Sequence, residues 1–277
     1  MKQSPKHYPE SYRKRHDATA YLAVGGNRLL LSLATIVLLS VVMLYVMLYL
    51  AYAGLSTYLL SQGGLQYDHT AYLTAYFSFF VFIWLSLLVT LFLTIPLIHG
   101  FFFMASRIAL GEETTLCDLF HSFSSAVCYW RAIRLSLRFF LILTVLIHGM
   151  ILTYLWAIDL SPGNGWMIFL GALLILFEIL VALIFAAMSF FRLFVAYANP
   201  NLPLDLVTKK AQFLSRTYKS AAYRYFVDYL PWILLSFATA GILFVADTLP
   251  RMGISYFLYC GEIEREFYQS EDIIDYE

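Results

Sequence analysis

Gly100–Arg138 reads GFFFMASRIALGEETTLCDLFHSFSSAVCYWRAIRLSLR, and how it is read decides the rest of the chain. It lies between two long apolar runs, yet it is neither apolar enough to span a bilayer nor polar enough to be a free loop. From Leu116 onward, Leu116, Phe120, Phe123, Val127 and Trp130 recur at helical spacing, while Asp118, His121, Ser122 and Ser125 occupy other faces. That periodicity predicts an amphipathic helix. Thr115 with Asp118 three residues on supplies an acidic capping-box start. Arg131, Arg134 and Arg138 load the far end with cations. The stretch is expected to lie in the plane of a membrane surface and to join two transmembrane helices.

Composition points the same way. Hydrophobic residues make up 61% of the 277 and charged ones 13%, half the share of an ordinary soluble domain. A chain this apolar cannot hide its surface in a soluble core of its own length, so an integral membrane protein is expected. The formal net charge is zero, and no basic footprint for nucleic acid follows from it. Cys117, Cys128 and Cys260 have no paired or metal-ligand spacing and read as small apolar fillers, and Cys117 and Cys128 fall on a segment placed in the cytoplasm, where thiols stay reduced.

Working outward, residues 1–28 form a basic arm with Lys2, Lys6, Arg13, Lys14, Arg15 and Arg28. Charge-free runs at 29–53 and 72–98, further apolar spans at 133–158 and 166–191, and an apolar centre at 231–246 predict about five spans, each near the roughly 20 residues a bilayer needs. Pro96 should kink the second of them. The membrane domain is therefore placed at 29–250, followed by an acidic tail at 251–277. Cations collect in the arm, in the 100–138 connector and in the 192–224 connector, and are missing from 54–70 and 159–165. The positive-inside rule then sets the N terminus in the cytoplasm of a multi-pass plasma-membrane protein. The side of the C terminus depends on whether the last helix breaks near Asp247–Pro250 and turns back.

The second connector repeats the first in pattern. Val207, Ala211, Leu214, Tyr218, Ala222 and Tyr225 keep helical spacing, and Pro203 stands where a first helical residue would be. The architecture expected is thus all-α and polytopic, with two cytoplasmic amphipathic interfacial helices related as parallel repeats.

A family resemblance accompanies this pattern. Gly26-Asn27, Gly111-Glu112 with Asp118-Leu119-Phe120 and Phe123, and Ala211 and Leu214-Ser215 with Tyr218-Lys219 are its first elements. Trp232, Leu235, Gly241-Ile242 and Pro250 with Tyr256, Phe257 and Tyr259 complete it. Together they resemble the bacterial integral membrane family catalogued as domain of unknown function 975, itself distantly similar to the membrane domain of glycerophosphodiester phosphodiesterases. The resemblance runs over nearly the whole chain. It departs where Arg251 follows Pro250 in place of tyrosine and where Leu258 splits the closing Phe-Tyr. It implies a bacterial plasma-membrane protein, assigns no catalytic residue, and imports no phosphodiesterase chemistry, which belongs to a soluble domain.

Ionisable groups deep in a span are costly and are candidate sites by default. His148 and Glu178 fall at similar depth on the third and fourth spans, roughly 15–20 Å from the turn that joins them. They either pair to fix the register of that hairpin or handle a proton or cation. His99 is expected at the interface, Asp247 as a helix-end carboxylate in water, and Asp228 as an i, i+4 partner of Arg224. Arg131, Arg134, Arg138, Lys209, Lys210 and Arg216 are the candidate contacts to anionic lipid headgroups, although positive-inside topology alone would also produce them. No phosphate loop, HExxH, nucleophile elbow or clustered metal ligands occur. The sequence therefore predicts no enzyme, no cofactor and no metal. It predicts a membrane module that binds the bilayer, a protein partner or a second copy. The other reading is a small transporter subunit built on His148 and Glu178.

Overall fold

Two prolines shape the centre of the fold. Pro96 and Pro250 each stand in the first turn of an α-helix that is entered through a single π-helical turn. Thr90–Thr94 precedes the helix Ile95–Ala109, and Phe244–Thr248 precedes the helix Leu249–Asp272. Proline has no N–H to give and its fixed φ suits a helix start. The carbonyl four residues before Pro96, that of Phe92, accepts the Tyr129 hydroxyl at 2.9 Å.

The computed structural model describes residues 11–41 except 25, 88–137, 140–142 and 165–272 except 219 and 240, with single positions at 43, 47, 81 and 84. Every regular element among them is helical, as an all-α chain requires. In order these are α1 (Ser11–Ala23), α2 (Asn27–Val41), α3 (Ile95–Ala109), a 3-10 helix (Leu116–Phe123), α4 (126–137) and α5 (Gly165–Met188). Then come α6 (Phe190–Ala198), α7 (Leu204–Thr217), α8 (Ala221–Ala238) and α9 (Leu249–Asp272). Among the described residues one helix, Leu91–Ala109, is long and apolar enough to cross a bilayer. The pair Asp17–Ala23 and Asn27–Val41, which meet at 94°, would add a second if taken as one broken span.

Several elements differ from the sequence reading. Residues 100–109, read as connector, continue the preceding helix, because Phe101, Met104, Ala105 and Ile108 put one buried face on α3. The helix expected from Leu116 is a 3-10 segment that stops at Phe123. Its capping box forms as expected, with the Thr115 N–H donating to Asp118 Oδ2 at 2.8 Å. A new helix then starts where Ser125 Oγ accepts the Cys128 N–H at 3.2 Å. In the second connector Pro203 is the N-cap, one residue ahead of the helix, and the stripe is cut at Tyr218 into α7 and α8.

The fifth expected span is an antiparallel hairpin. Gly241, at φ +81°, turns the chain after α8. Tyr225 Oη then donates to the Met252 carbonyl at 2.6 Å, Ser236 Oγ meets Thr248 Oγ1 at 3.0 Å, and Tyr259 Oη reaches the Ala221 carbonyl at 3.5 Å. Numbers rising on α8 fall on α9. The chain does turn back, but at Gly241 rather than at Asp247–Pro250, and the end of α9 returns to the level of the second connector. The 251–277 stretch, read as an acidic tail, is helical through Asp272 and buries Ile254, Tyr259, Cys260 and Ile263 completely. Ile254 and Ile263 each contribute roughly 1.5–3 kcal/mol by burial.

Two apolar clusters result. One joins α1, α2, α3 and the 3-10 helix through Ala18, Leu31, Phe101, Met104 and Leu119. The other joins α6, α7, α8 and α9 through Phe191, Val195, Val207, Leu214, Tyr229 and Ile263. α3 and α9 pack against each other between them, Phe102 edge-on to Tyr256 at 5.8 Å.

Candidate functional site

α3 carries a polar face in an otherwise apolar helix. His99, Phe103, Ser106, Arg107 and Leu110 follow one another at helical spacing and line one wall of a cleft of about 470 Å³. The opposite wall is α4, where Cys128, Arg131, Ala132 and Leu135 keep the same spacing. The 3-10 helix supplies His121 and Ser122, and the end of α6 supplies Tyr197 and Pro200. Gly100 lets the 3-10 helix lie so close: a Cβ there would fall 1.7 Å from the Leu119 carbonyl oxygen.

At the inner end His99 is locked on both ring nitrogens. Nδ1 lies 2.8 Å from Tyr197 Oη and Nε2 lies 2.7 Å from Ser136 Oγ, while the Tyr197 hydroxyl donates to the His99 carbonyl at 2.9 Å. A tyrosine has one proton. With it on the carbonyl, Nδ1 carries the imidazole hydrogen and Nε2 accepts from Ser136. This corrects the expectation of an interfacial histidine: His99 is 2% exposed and clamps α3, α4 and α6 together. Burial raises the Tyr197 phenol well above its ordinary value, against the pull of Arg131, so it stays a neutral donor.

Toward the mouth, Arg107 is held by two carboxylates, Nε on Glu112 Oε2 at 2.8 Å and Nη1 on Asp118 Oδ2 at 3.3 Å. The His121 ring stacks on Phe103 with centroids 3.8 Å apart. Burial is the first cause of its lowered basicity; Asp118 opposes and Arg107 adds to it. Arg131 turns inward. Its Nη1 donates to the Pro200 carbonyl, and its Nη2 is buried with no hydrogen-bond partner among the described residues. Stranding such a donor costs about 1–3 kcal/mol, more for a charged group.

The other candidates scatter. Arg134, Lys209 and Arg216 are exposed. Lys210 is not a free cation: its Nζ lies 2.5 Å from Glu264 Oε1 and over the Tyr268 ring. Burial lowers the Lys210 ammonium, but hydrogen bonds to Glu264 and Tyr268 outweigh that and its basicity is raised. Arg138 and His148 lie outside the described residues, so the pairing expected between His148 and Glu178 does too. Glu178 sits on α5, with Oε2 buried and without a hydrogen-bond partner among the described residues. Arg192 Nη2 contacts Thr208 Oγ1 at 3.4 Å.

Asp247 is a second correction. It is buried, not solvated, and its Oδ1 accepts from Arg28 at 2.9 Å and from Arg251 at 2.7 Å. Arg28 and Asp247 were expected at opposite ends of their spans; an ion pair puts them at one level.

Sequence reasoning missed the cleft because it followed the apolar stripes. The recurrence of His99, Ser106 and Arg107 on one face of α3 was the signal that could have found it. Among the described residues no group of three or more metal-ligating side chains occurs. Comparison with family models, with curated proteins and with solved structures returned no match to this chain.

Proposed function

We propose that the chain is a non-enzymatic, multi-pass protein of the bacterial plasma membrane, of the kind its resemblance implies. In this reading the first four expected spans cross the bilayer, the fifth is replaced by the α8–α9 hairpin, the N terminus is cytoplasmic, and the first connector docks on anionic lipid. The observation that supports this most is the fate of the first stripe. Phe120, Phe123, Val127 and Trp130 are all exposed, although they are large and apolar and their neighbours Leu119 and Ser122 are buried. Val127, Trp130, Phe92 and Leu137, with the cation of Arg134, border an open groove of about 840 Å³. An exposed aromatic face with a cation beside it suits the boundary of headgroups and acyl chains.

The test uses the full chain in mild detergent. It is expected to bind vesicles containing anionic lipid more tightly than neutral ones, with affinity falling as salt rises. Val127→Ser with Trp130→Ser should weaken that binding at least tenfold. Equal partition into both vesicle types would overturn the reading. The layout is checked by thiol labelling of intact cells from outside. Gly64→Cys and Gly163→Cys should react, and native Cys117 and Gln212→Cys should be spared.

A small transporter subunit is the second reading, favoured by Glu178 on an apolar helix, whose Oε2 is buried with no hydrogen-bond partner among the described residues. Proton-coupled flux in proteoliposomes that vanished in Glu178→Gln would establish it.

A further inference from the structure

The cleft behind the first connector has two charged ends, one of which, Arg131, also borders the docking groove. At one end is Arg131, whose Nη2 has no hydrogen-bond partner and whose guanidinium meets no carboxylate among the described residues. At the other end negative charge is in surplus, since Glu112 and Asp118 share the single guanidinium of Arg107. Half of Glu112 remains exposed and open to a second partner. The four groups sum to zero but are laid out as a dipole. A phosphate alone would gain Arg131 and meet Glu112; an ammonium alone would gain Glu112 and meet Arg131. A ligand carrying both charges gains at both ends.

We propose that this cleft binds a zwitterion that bears a phosphate and a primary ammonium, the phosphoethanolamine class. The phosphate takes the Arg131 end. The ammonium takes the Glu112 end. A volume of about 470 Å³ accommodates such a headgroup with room for the glycerol that would follow it. The same chemistry is offered by a lipid headgroup and by a soluble phosphoethanolamine ester. Only the lipid source rests on the docking reading above.

The chain carries its own reporter. Cys128 is half-buried on the cleft wall, while Cys117 is exposed and is not among the residues lining the cleft. In the full-length protein in detergent, soluble glycerophosphoethanolamine is expected to slow maleimide labelling of Cys128 at least threefold and to leave Cys117 unchanged. Arg131→Gln should abolish that protection. Glu112→Gln, a surface change that leaves folding intact, should abolish it too and so covers the case in which Arg131→Gln fails to fold. Vesicles containing phosphatidylethanolamine, compared with phosphatidylcholine, identify the source. Protection by those vesicles alone assigns the lipid, and protection by the soluble ester assigns the free zwitterion.

Equal protection by inorganic phosphate or by phosphocholine would overturn the zwitterion with its primary ammonium, and no protection by any of them would overturn the site. Val127→Ser with Trp130→Ser separates the two readings. If docking fails while the soluble ester still shields Cys128, the cleft stands without the docking face.

Discussion

In the second connector Val207, Ala211 and Leu214 disappear against α6 and α9, whereas in the first Phe120, Phe123, Val127 and Trp130 stand open to the surroundings. Val207 is 0% exposed and Val127 is 78% exposed, though both belong to stripes of the same spacing. The partner makes the difference. α7 lies against the returning helix α9, which answers it with Glu264 on Lys210 and Phe267 edge-on to Phe213 at 5.4 Å. The 3-10 helix meets its neighbours through the other face, Leu119 over Gly100 and His121 on Phe103. Equal periodicity therefore marks an amphipathic element without saying what covers its apolar side. In one connector it is protein, and in the other Phe120, Phe123, Val127 and Trp130 stay exposed.

The sharpest way to break this contrast is at Gly100. An alanine Cβ there would overlap the Leu119 backbone, and backbone cannot swing aside as a side-chain tip can. Gly100→Ala should lift the 3-10 helix from α3 and cost more than about 3 kcal/mol, beyond the usual range for overpacking. Gly253→Ala meets the Phe101 ring at 3.0 Å and should cost far less, about 1 kcal/mol. Thermal unfolding of the two variants in detergent ranks them, and similar losses would show that the 3-10 helix is loosely seated.

Next in size is the stripe itself. Leu214→Ala removes a fully buried side chain and should destabilise by about 3 kcal/mol. Phe123→Ser, on the open stripe, should stay within about 0.5 kcal/mol and weaken vesicle binding instead. If Phe123→Ser proved as destabilising as Leu214→Ala, the first stripe would be covered by protein and the docking reading would fall.

What could be read in advance follows from which interactions are local. The helical class, the spacing of both stripes and the Thr115–Asp118 capping box depend on residues within a turn or two of each other, and they were legible. Pro96 was legible as a break, but not as the start of a helix that runs on to Ala109. The 3-10 geometry of 116–123 depends on Gly100, some twenty residues away, and periodicity does not report it. Asp247 looked solvated because nothing near it in sequence except Arg251 could hold it. Arg28, its other partner, comes from the opposite end of the chain. The cleft was hidden for the same reason, since its walls are two separate helix faces.

A smaller effect tests how far α7 depends on α9. Lys210→Met removes the contact with Glu264, but both groups keep access to water, so the loss should be about 1 kcal/mol or less. Glu264→Gln should lose a similar amount, and the double variant should lose little more than either alone. A double loss equal to the sum of the singles would mean the two side chains do not act as a pair.

The smallest expected effect is on pH and belongs to the first connector alone. His121 is less basic in the folded chain than in the unfolded one, chiefly because its ring is covered against Phe103. The folded state thus prefers the neutral imidazole. The unfolded chain binds the proton more readily, so the stabilisation is whole above the ordinary histidine value of about 6.5 and drains away as pH falls through the lower folded value. His121→Phe keeps the stack and removes the titration. Its unfolding temperature, relative to the parent, should therefore rise as pH drops from 7 to 5, and the second connector, which has no histidine, should show no such trend in Leu214→Ala. A flat difference between parent and His121→Phe over that range would mean the imidazole is open to water, and with it the seat of the 3-10 helix on α3.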